Sequence, residues 1–236
     1  VASLLLIRHG QASYGQADYD RLSPIGERQA RAVGAHLARG KLEGAIDMLF
    51  VGPLRRQQQT AALARDGAGT TLPTPTTLDE LAEYPAFEIL KRLGPRLVRD
   101  EPRFADLFTA PTPALMDEAF HYILGRWARG EWTDDGVERV EDFIARVRRG
   151  LDRMFRAAAS GARIAAITSA GPIGVAVGLV FGASHERMVR ASTVIRNASI
   201  TELVFRTRDF AWRDDQLSVM SLNLTAHLPD DLQTER

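Results

Sequence analysis

Arg8, His9, Gly10 and Gln11 directly follow the apolar run Leu4-Leu5-Leu6-Ile7. A run of that kind suits a buried strand, so a cation, a titratable ring and a permissive backbone fall at a strand's carboxyl end. In open α/β sheets that end is where ligands bind. A neutral imidazole can attack phosphorus, and a neighbouring guanidinium can hold phosphoryl oxygens in its planar fork. The second segment with chemical content is Gly52-Pro53-Leu54-Arg55-Arg56-Gln57-Gln58-Gln59-Thr60-Ala61. It again leaves an apolar run and enters a helix, whose first turn offers free N–H groups and the positive end of a dipole. Arg56 is read as the functional cation there, and Arg55 as a surface arginine.

These residues need elements to hold them. Val1 to Ile7 reads as the first strand. Ser23 stands where an N-cap belongs and Pro24 at the first helical position. That helix runs to about Arg39 with Ala30, Val33 and Leu37 on one face, and Gly40 stops it. Met48 to Val51 is the second strand, and Gly52-Pro53 ends it and opens the next helix. Leu72 to Thr77 reads as extended chain or loop. Phe87 to Phe155 is mostly helical, interrupted near Pro95, Pro102, Pro111 and Pro113 and at Gly130 to Gly136. Its last helix, Val137 to Ala159, returns to the core. Arg163 to Thr168 is a strand, Ser169-Ala170-Gly171 a tight turn, and Pro172 opens a small-residue helix that ends near Gly182. Ile200 to Phe205 and Leu217 to Leu222 form a late hairpin at a sheet edge, and the tail after Pro229 is polar and frayed. Strands alternating with helices predict an α/β fold: a mainly parallel sheet with helices on both faces and an antiparallel edge. It forms one domain over residues 1–236, with a helical cap inserted at roughly 86–136.

Composition narrows the function. Thirty basic and thirty acidic side chains cancel, so nothing favours nucleic acid or an anionic membrane as partner. An anion site must be built locally from a few arginines. The chain has no cysteine, which excludes disulfides, thiolate nucleophiles and Cys-based zinc sites and fits a cytoplasmic protein. Leu4 to Ile7 is too short for a signal sequence, and no stretch approaches a membrane span. No metal-ligand cluster and no cofactor motif is evident. The oligomeric state is open; the late edge strand is where a homodimer would form.

Together, Arg8-His9-Gly10-Gln11 and the Gly52–Ala61 segment resemble the histidine phosphatase superfamily, the phosphoglycerate-mutase-like fold. That family opens with a strand ending in Arg-His-Gly and continues with a stretch like Ser-Pro-Leu-x-Arg-Ala-x-Gln-Thr-Ala. Here Gly52 replaces Ser and Gln57 replaces Ala. Between them, Leu22-Ser23-Pro24-Ile25-Gly26-Glu27-Arg28-Gln29-Ala30 is similar to the family's Leu-Thr-x-x-Gly-x-x-Gln-Ala. The resemblance implies a metal-independent phosphomonoesterase acting on a small phosphorylated metabolite through phosphohistidine. His9 would be the nucleophile. Arg8, Gly10, Gln11 and Arg56 would bind phosphate, with Ser169 and Ala170 at the late turn. A carboxylic acid would protonate the leaving group. Its candidates are Glu80 and Glu83; Glu83 is preferred because Glu83-Tyr84 resembles the Asn-Glu-Tyr form of some relatives.

Two departures stand out. Most members carry a second catalytic histidine in the turn that here reads Thr168-Ser169-Ala170-Gly171-Pro172, so Ala170 stands in its place. Some members have Thr-Ser-Gly-Gly there. Gly15 replaces an asparagine that contacts phosphate in many members. Two alternatives stand beside the phosphatase: a weakened or inactive module that binds a phosphorylated ligand or inorganic phosphate, which Ala170 favours, and a mutase-type phosphotransferase, against which both departures weigh. Among the other histidines, His121 in the cap, near Tyr122 and Trp127, is a minor candidate to reach the pocket. His36 is a helix-face residue, His185 a loop residue, and His227 belongs to the tail. Trp127 and Trp132 are read as cap packing. Tyr14 and Tyr19 lie on the rim or the surface.

Overall fold

The computed structural model describes residues 1–13, 20–39, 44–69, 71–213 and 215–234. Tyr14, Gly15, Tyr19 and the helix stop at Gly40 lie outside the described residues. Six strands form one mixed sheet in the order β3-β2-β4-β1-β5-β6: β1 (Ala2–Arg8), β2 (Met48–Val51), β3 (Thr76–Thr77), β4 (Arg163–Thr168), β5 (Ile200–Phe205) and β6 (Leu217–Leu224). The first four named in that order run parallel, and β5 and β6 add the antiparallel edge. The helices are α1 (Pro24–Arg39), α2 (Arg55–Gly67), α3 (Ala86–Asp100), α4 (Pro113–Ala128), α5 (Val140–Ala157), α6 (Ala170–Val180) and α7 (His185–Ser192).

The apolar runs are continuous because both faces of the sheet are covered. Leu4 and Leu6 of β1, with Ile164 and Ala166 of β4, join the core under α3 to α7. Leu5 and Ile7, with Ala165 and Ile167, face the opposite way, toward Val33 and Leu37 of α1 and Ala61 and Ala64 of α2. This is the period-two alternation of a strand between two layers. Trp127 and Trp132 are both buried, as packing residues.

The structure corrects several expected boundaries. α2 begins at Arg55, not at Gly52-Pro53, because the Gln57 side chain reaches back to accept from the Leu54 amide at 3.0 Å and caps the helix there. α3 runs through Pro95. Proline removes one hydrogen bond, to the carbonyl of Lys91, and both residues lie on the exposed face, where water can satisfy that carbonyl. α6 opens at Ala170, two residues before Pro172. In a helix's first turn the N–H groups have no intrahelical acceptor, so proline costs nothing there. His185 is not in a loop: it starts α7, whose N-cap Ser184 accepts from the Arg187 amide.

The tail is not frayed through its described part. Leu228 and Leu232 are buried beneath α1. Gln29 of α1 donates to the Leu232 carbonyl at 2.6 Å and to Thr234 Oγ1 at 2.9 Å. The same amide's oxygen accepts from the Gln11 backbone N–H at 2.7 Å, so the tail braces the loop after His9. Leu232→Ala should therefore lower unfolding free energy by about 2–5 kcal/mol, the usual cost of emptying a buried leucine site. Urea denaturation measures it, and an unshifted midpoint would refute the docking.

Candidate active site

β4 lies between β1 and β2 in parallel register, with Arg8 opposite Thr168 and Val51 opposite Ile167. The ladder continues one residue past each strand: the His9 amide donates to the Thr168 carbonyl at 2.9 Å and the Gly52 amide to the Ile167 carbonyl at 3.0 Å. Three chain segments distant in sequence thus meet at the carboxyl ends of the inner parallel strands. They are Arg8-His9-Gly10, Gly52 to Arg56, and Ser169-Ala170-Gly171.

His9 is buried, with 5% exposure. Its Nδ1 lies 2.7 Å from the Gly10 carbonyl, and its Nε2 lies 3.0 Å from Nε of Arg56. A carbonyl can only accept and a guanidinium N–H can only donate. Nδ1 therefore carries the proton and Nε2 keeps its lone pair. Burial, with the charges of Arg56 and Arg8 adding to it, pulls the imidazole well below its ordinary 6.5, although the Gly10 bond works against this. The ring is a neutral base. Arg56 is itself buried and is oriented by Asp20, whose Oδ1 accepts from it at 2.6 Å. The other Asp20 oxygen accepts from the Arg55 amide at 2.8 Å, at the N-terminus of α2. Arg8 donates to the Ile195 carbonyl.

The two candidate acids part here. The Glu80 carboxylate turns to Arg153 at 2.8 Å. Its modest burial opposes that bond, yet the net shift is below the ordinary value. Glu83 turns instead to the first turn of α6: one oxygen accepts from the Gly171 amide at 3.1 Å, the other from the Tyr84 amide at 3.0 Å. Burial of the carboxyl group raises its pKa despite those two bonds and the charges of Arg56 and Arg8. Those two arginines also act on His9, so Glu83 and His9 share one electrostatic field. Gly171 is required at this contact, since a Cβ there would come within 2.0 Å of a Glu83 carboxyl oxygen.

Of the other expected site residues, Gly10 donates its amide to Thr60 Oγ1 at 3.1 Å. Gln11 is tied to the start of α1, its side-chain oxygen accepting from Ser23 Oγ at 2.7 Å. Ser169 is fully buried and its hydroxyl oxygen accepts from Gln57 at 2.8 Å. Ala170 is the first residue of α6. His121 is not turned inward: it is exposed, beside Asp117. His36 and His227 face one another with ring centroids 5.0 Å apart. Burial, with His36 adding to it, takes His227 down to about 4. Among the described residues no group of three or more His, Cys, Asp or Glu could hold a metal ion. No described helix is long and apolar enough to cross a membrane.

The sequence pattern of the histidine phosphatase superfamily (branch 1) matches residues 4–215. The chain belongs to this superfamily. Membership extends the resemblance carried by the early motifs to nearly the whole chain. The bifunctional protein Rv2228c of Mycobacterium tuberculosis is 27% identical over 232 residues, covering 95% of this chain and 54% of that protein. The chain thus spans about half the length of the curated relatives it matches. Among solved structures, a phosphoserine phosphatase mutant from Entamoeba histolytica, in complex with phosphoserine, superposes with a TM-score of 0.63 at 18% identity, covering 97% of this chain and 100% of that one. A phosphoglycerate mutase from Bacillus anthracis gives 0.60 at 16% identity, covering 94% and 92%. Phosphatases and mutases of the superfamily therefore share this α/β fold.

Two residues that sequence reasoning left without a role, Asp20 and Gln57, are part of the site's frame. Gln57 is fully buried and uses every polar atom of its amide. Its oxygen caps Leu54, and its nitrogen donates to Ser169 Oγ and to the Leu81 carbonyl at 3.1 Å. A Cβ on Gly52 would meet the Gln57 side-chain oxygen at 2.1 Å. A side chain at position 52 would therefore compete with Gln57 for one space, and its Cβ would also come within 2.9 Å of the Leu81 carbonyl oxygen. Gly52→Ser alone should cost about 1–3 kcal/mol by overpacking. Combined with Gln57→Ala, its added cost should shrink by at least about 0.5 kcal/mol. A thermal-unfolding double-mutant cycle checks this, and additive effects would separate the two sites.

Proposed function

We propose that this chain is a metal-independent phosphomonoesterase that hydrolyses a small phosphorylated metabolite through a phosphohistidine at His9. The observation that carries the reading is the bare Nε2 of His9, held against Arg56 in the same buried field as the carboxyl of Glu83. An incoming phosphoryl group takes over the Arg56 N–H now bonded to Nε2, and Arg8 and Arg56 spread its charge. Nε2 attacks phosphorus, the bond to the ester oxygen breaks, and Glu83 protonates the leaving alkoxide. Glu83, now a carboxylate, accepts a proton from the water that cleaves the phosphohistidine. Phosphate leaves and His9 is regenerated. Positioning and charge stabilisation account for most of such catalysis. The helical segment at 86–136 acts as a cap that selects the alcohol part of the substrate.

The shifts of the two groups support these roles. Nucleophile and acid must be neutral together. With ordinary values of 6.5 for imidazole and 4.5 for a glutamic acid, that state is rare at every pH. Burial lowers His9 and raises Glu83, so both shifts favour the doubly neutral form and the reactive state gains population. One observation favours a second reading: Ala170, in the first turn of α6, supplies no side-chain donor to phosphate. A missing transition-state donor costs about 10²–10³ in turnover, which would leave a weak enzyme or a phosphoryl-ligand-binding module.

The test is phosphate release from a panel of phosphorylated metabolites and para-nitrophenyl phosphate, with chelator present, across pH 4 to 9. We expect a bell-shaped profile whose two limbs report His9 and Glu83, activity falling in acid as His9 gains a proton and in alkali as Glu83 loses one. His9→Ala should abolish release. Glu83→Gln should lower kcat on alkyl esters by about 10²–10⁴, the usual contribution of an acid–base group. Equal rates for wild type and His9→Ala would remove the covalent mechanism. Binding of phosphate without turnover of any substrate would select the second reading.

A further inference from the structure

Glu83 is fixed in position by more than its own two hydrogen bonds. The three carbonyls immediately before it are all held. Arg146 of α5 donates from one terminal nitrogen to the Glu80 carbonyl and to the Ala82 carbonyl, each at 3.0 Å. The intervening Leu81 carbonyl accepts from Thr168 Oγ1 at 2.8 Å and from Gln57 at 3.1 Å. The rest of the Arg146 guanidinium is engaged by Glu138, Nε to one oxygen and the second terminal nitrogen to the other, both at 2.8 Å. This bidentate grip fixes the plane of the guanidinium and hence the direction of its remaining N–H groups. Arg146 is largely buried and lies over the Phe143 ring, 5.1 Å from its centroid.

Glu138 is held in turn. The Trp127 indole N–H of α4 donates to its carbonyl at 2.8 Å. Trp127 and Phe143 also pack against Tyr84, the residue after Glu83. A continuous set of contacts therefore runs from α4 through Glu138 and Arg146 to the backbone of Glu80 to Ala82. A buried ion pair by itself is weak evidence of a contribution to stability. This pair instead directs a fork at two carbonyls within three residues of a site carboxyl.

We propose that Arg146, oriented by Glu138, is a positioning residue that aims Glu83 at the leaving-group oxygen. The proposal rests on the reading of Glu83 as the general acid. Lysine at position 146 keeps the charge but cannot grip a carboxylate bidentately while spanning two carbonyls. A shift of the acid by about 1 Å is enough to cost on the order of 10² in rate.

The experiment compares wild type, Arg146→Lys, Glu138→Gln and Glu83→Gln on two substrates. Glycerol phosphate releases an alkoxide that needs a proton; para-nitrophenyl phosphate releases a stable phenolate that does not. Arg146→Lys should lose about 10–100-fold in kcat on glycerol phosphate and less than about 3-fold on para-nitrophenyl phosphate, with KM for both nearly unchanged. Glu138→Gln, the milder variant should Arg146→Lys fail to fold, should show the same selectivity at smaller size. Equal losses on both substrates, or none, while Glu83→Gln remains selective, would overturn the positioning role alone. An unselective Glu83→Gln would overturn the acid assignment and this inference with it. A readout independent of turnover is carboxyl ¹³C NMR of Glu83 against pH. Its midpoint should fall toward the ordinary glutamate value in Arg146→Lys as the carboxyl loses its buried seat, and an unmoved midpoint would overturn the proposal.

Discussion

The parallel hydrogen-bond ladder of β4 is the constraint on which the site depends. β4 pairs with β1 on one side and β2 on the other, and both ladders extend one residue beyond the strands, to His9 and Gly52. A parallel register cannot slip by one residue without turning buried side chains to the wrong layer. Leu4, Leu5, Leu6 and Ile7 alternate between two cores, so the register is specified from both faces at once. The consequence is positional. The ring of His9, the entry to α2 and the first turn of α6 are brought to the carboxyl end of the parallel strands by packing energy supplied elsewhere in the molecule.

That end of the sheet concentrates positive charge in a poorly solvated place. Burial keeps the imidazole neutral, and the charges of Arg56 and Arg8 add to that effect. Asp20 supplies an opposite charge on Arg56 at the site's margin, with its side chain 37% exposed. It leaves the inner face of the guanidinium to the imidazole. A phosphate dianion entering such a field meets donors already oriented, so little reorganisation accompanies the chemistry. Neutrality of the total charge of the chain and positivity of the site are compatible, since the surface arginines are extensively paired with acids, as Arg129 and Arg126 are with Glu131.

What was legible in the sequence follows from what is local. The apolar runs gave the strands that flank the site, and Arg-His-Gly and the Arg56 segment lie on those strands' carboxyl ends, so His9, Arg8 and Arg56 could be named from contiguous residues. The coupling of distant residues was not legible. Asp20 bonds to Arg56 across 36 positions and Gln29 to Thr234 across 205, and neither has a local signature. Gln57 read as a departure from a motif, yet its meaning lies in the missing side chain at Gly52 and in Ser169, both outside its helix. Arg146 is one of several arginines on α5, and only the direction of its fork distinguishes it from Arg148 or Arg153. The tail misled for the opposite reason: the polar composition after Pro229 concealed the buried Leu232.

The residue missing from the superfamily's usual pattern bears on the acid as well as on phosphate. A protonated histidine at position 170 would stand beside the Gly171 amide that Glu83 accepts from. Its charge would add to those of Arg56 and Arg8, which already favour the carboxylate, and would pull the Glu83 pKa down. With Ala170 there, burial is the largest influence and the carboxyl keeps its proton to higher pH. On the proposed mechanism the substitution therefore exchanges one donor to the transferring phosphoryl group for a better-protonated acid. Such a site suits substrates whose leaving group needs a proton more than it suits a reaction that must hold and return a second phosphate. The same reasoning gives the clamp on Glu80 to Ala82 its importance, because an acid with fewer partners in the transition state depends more heavily on its aim.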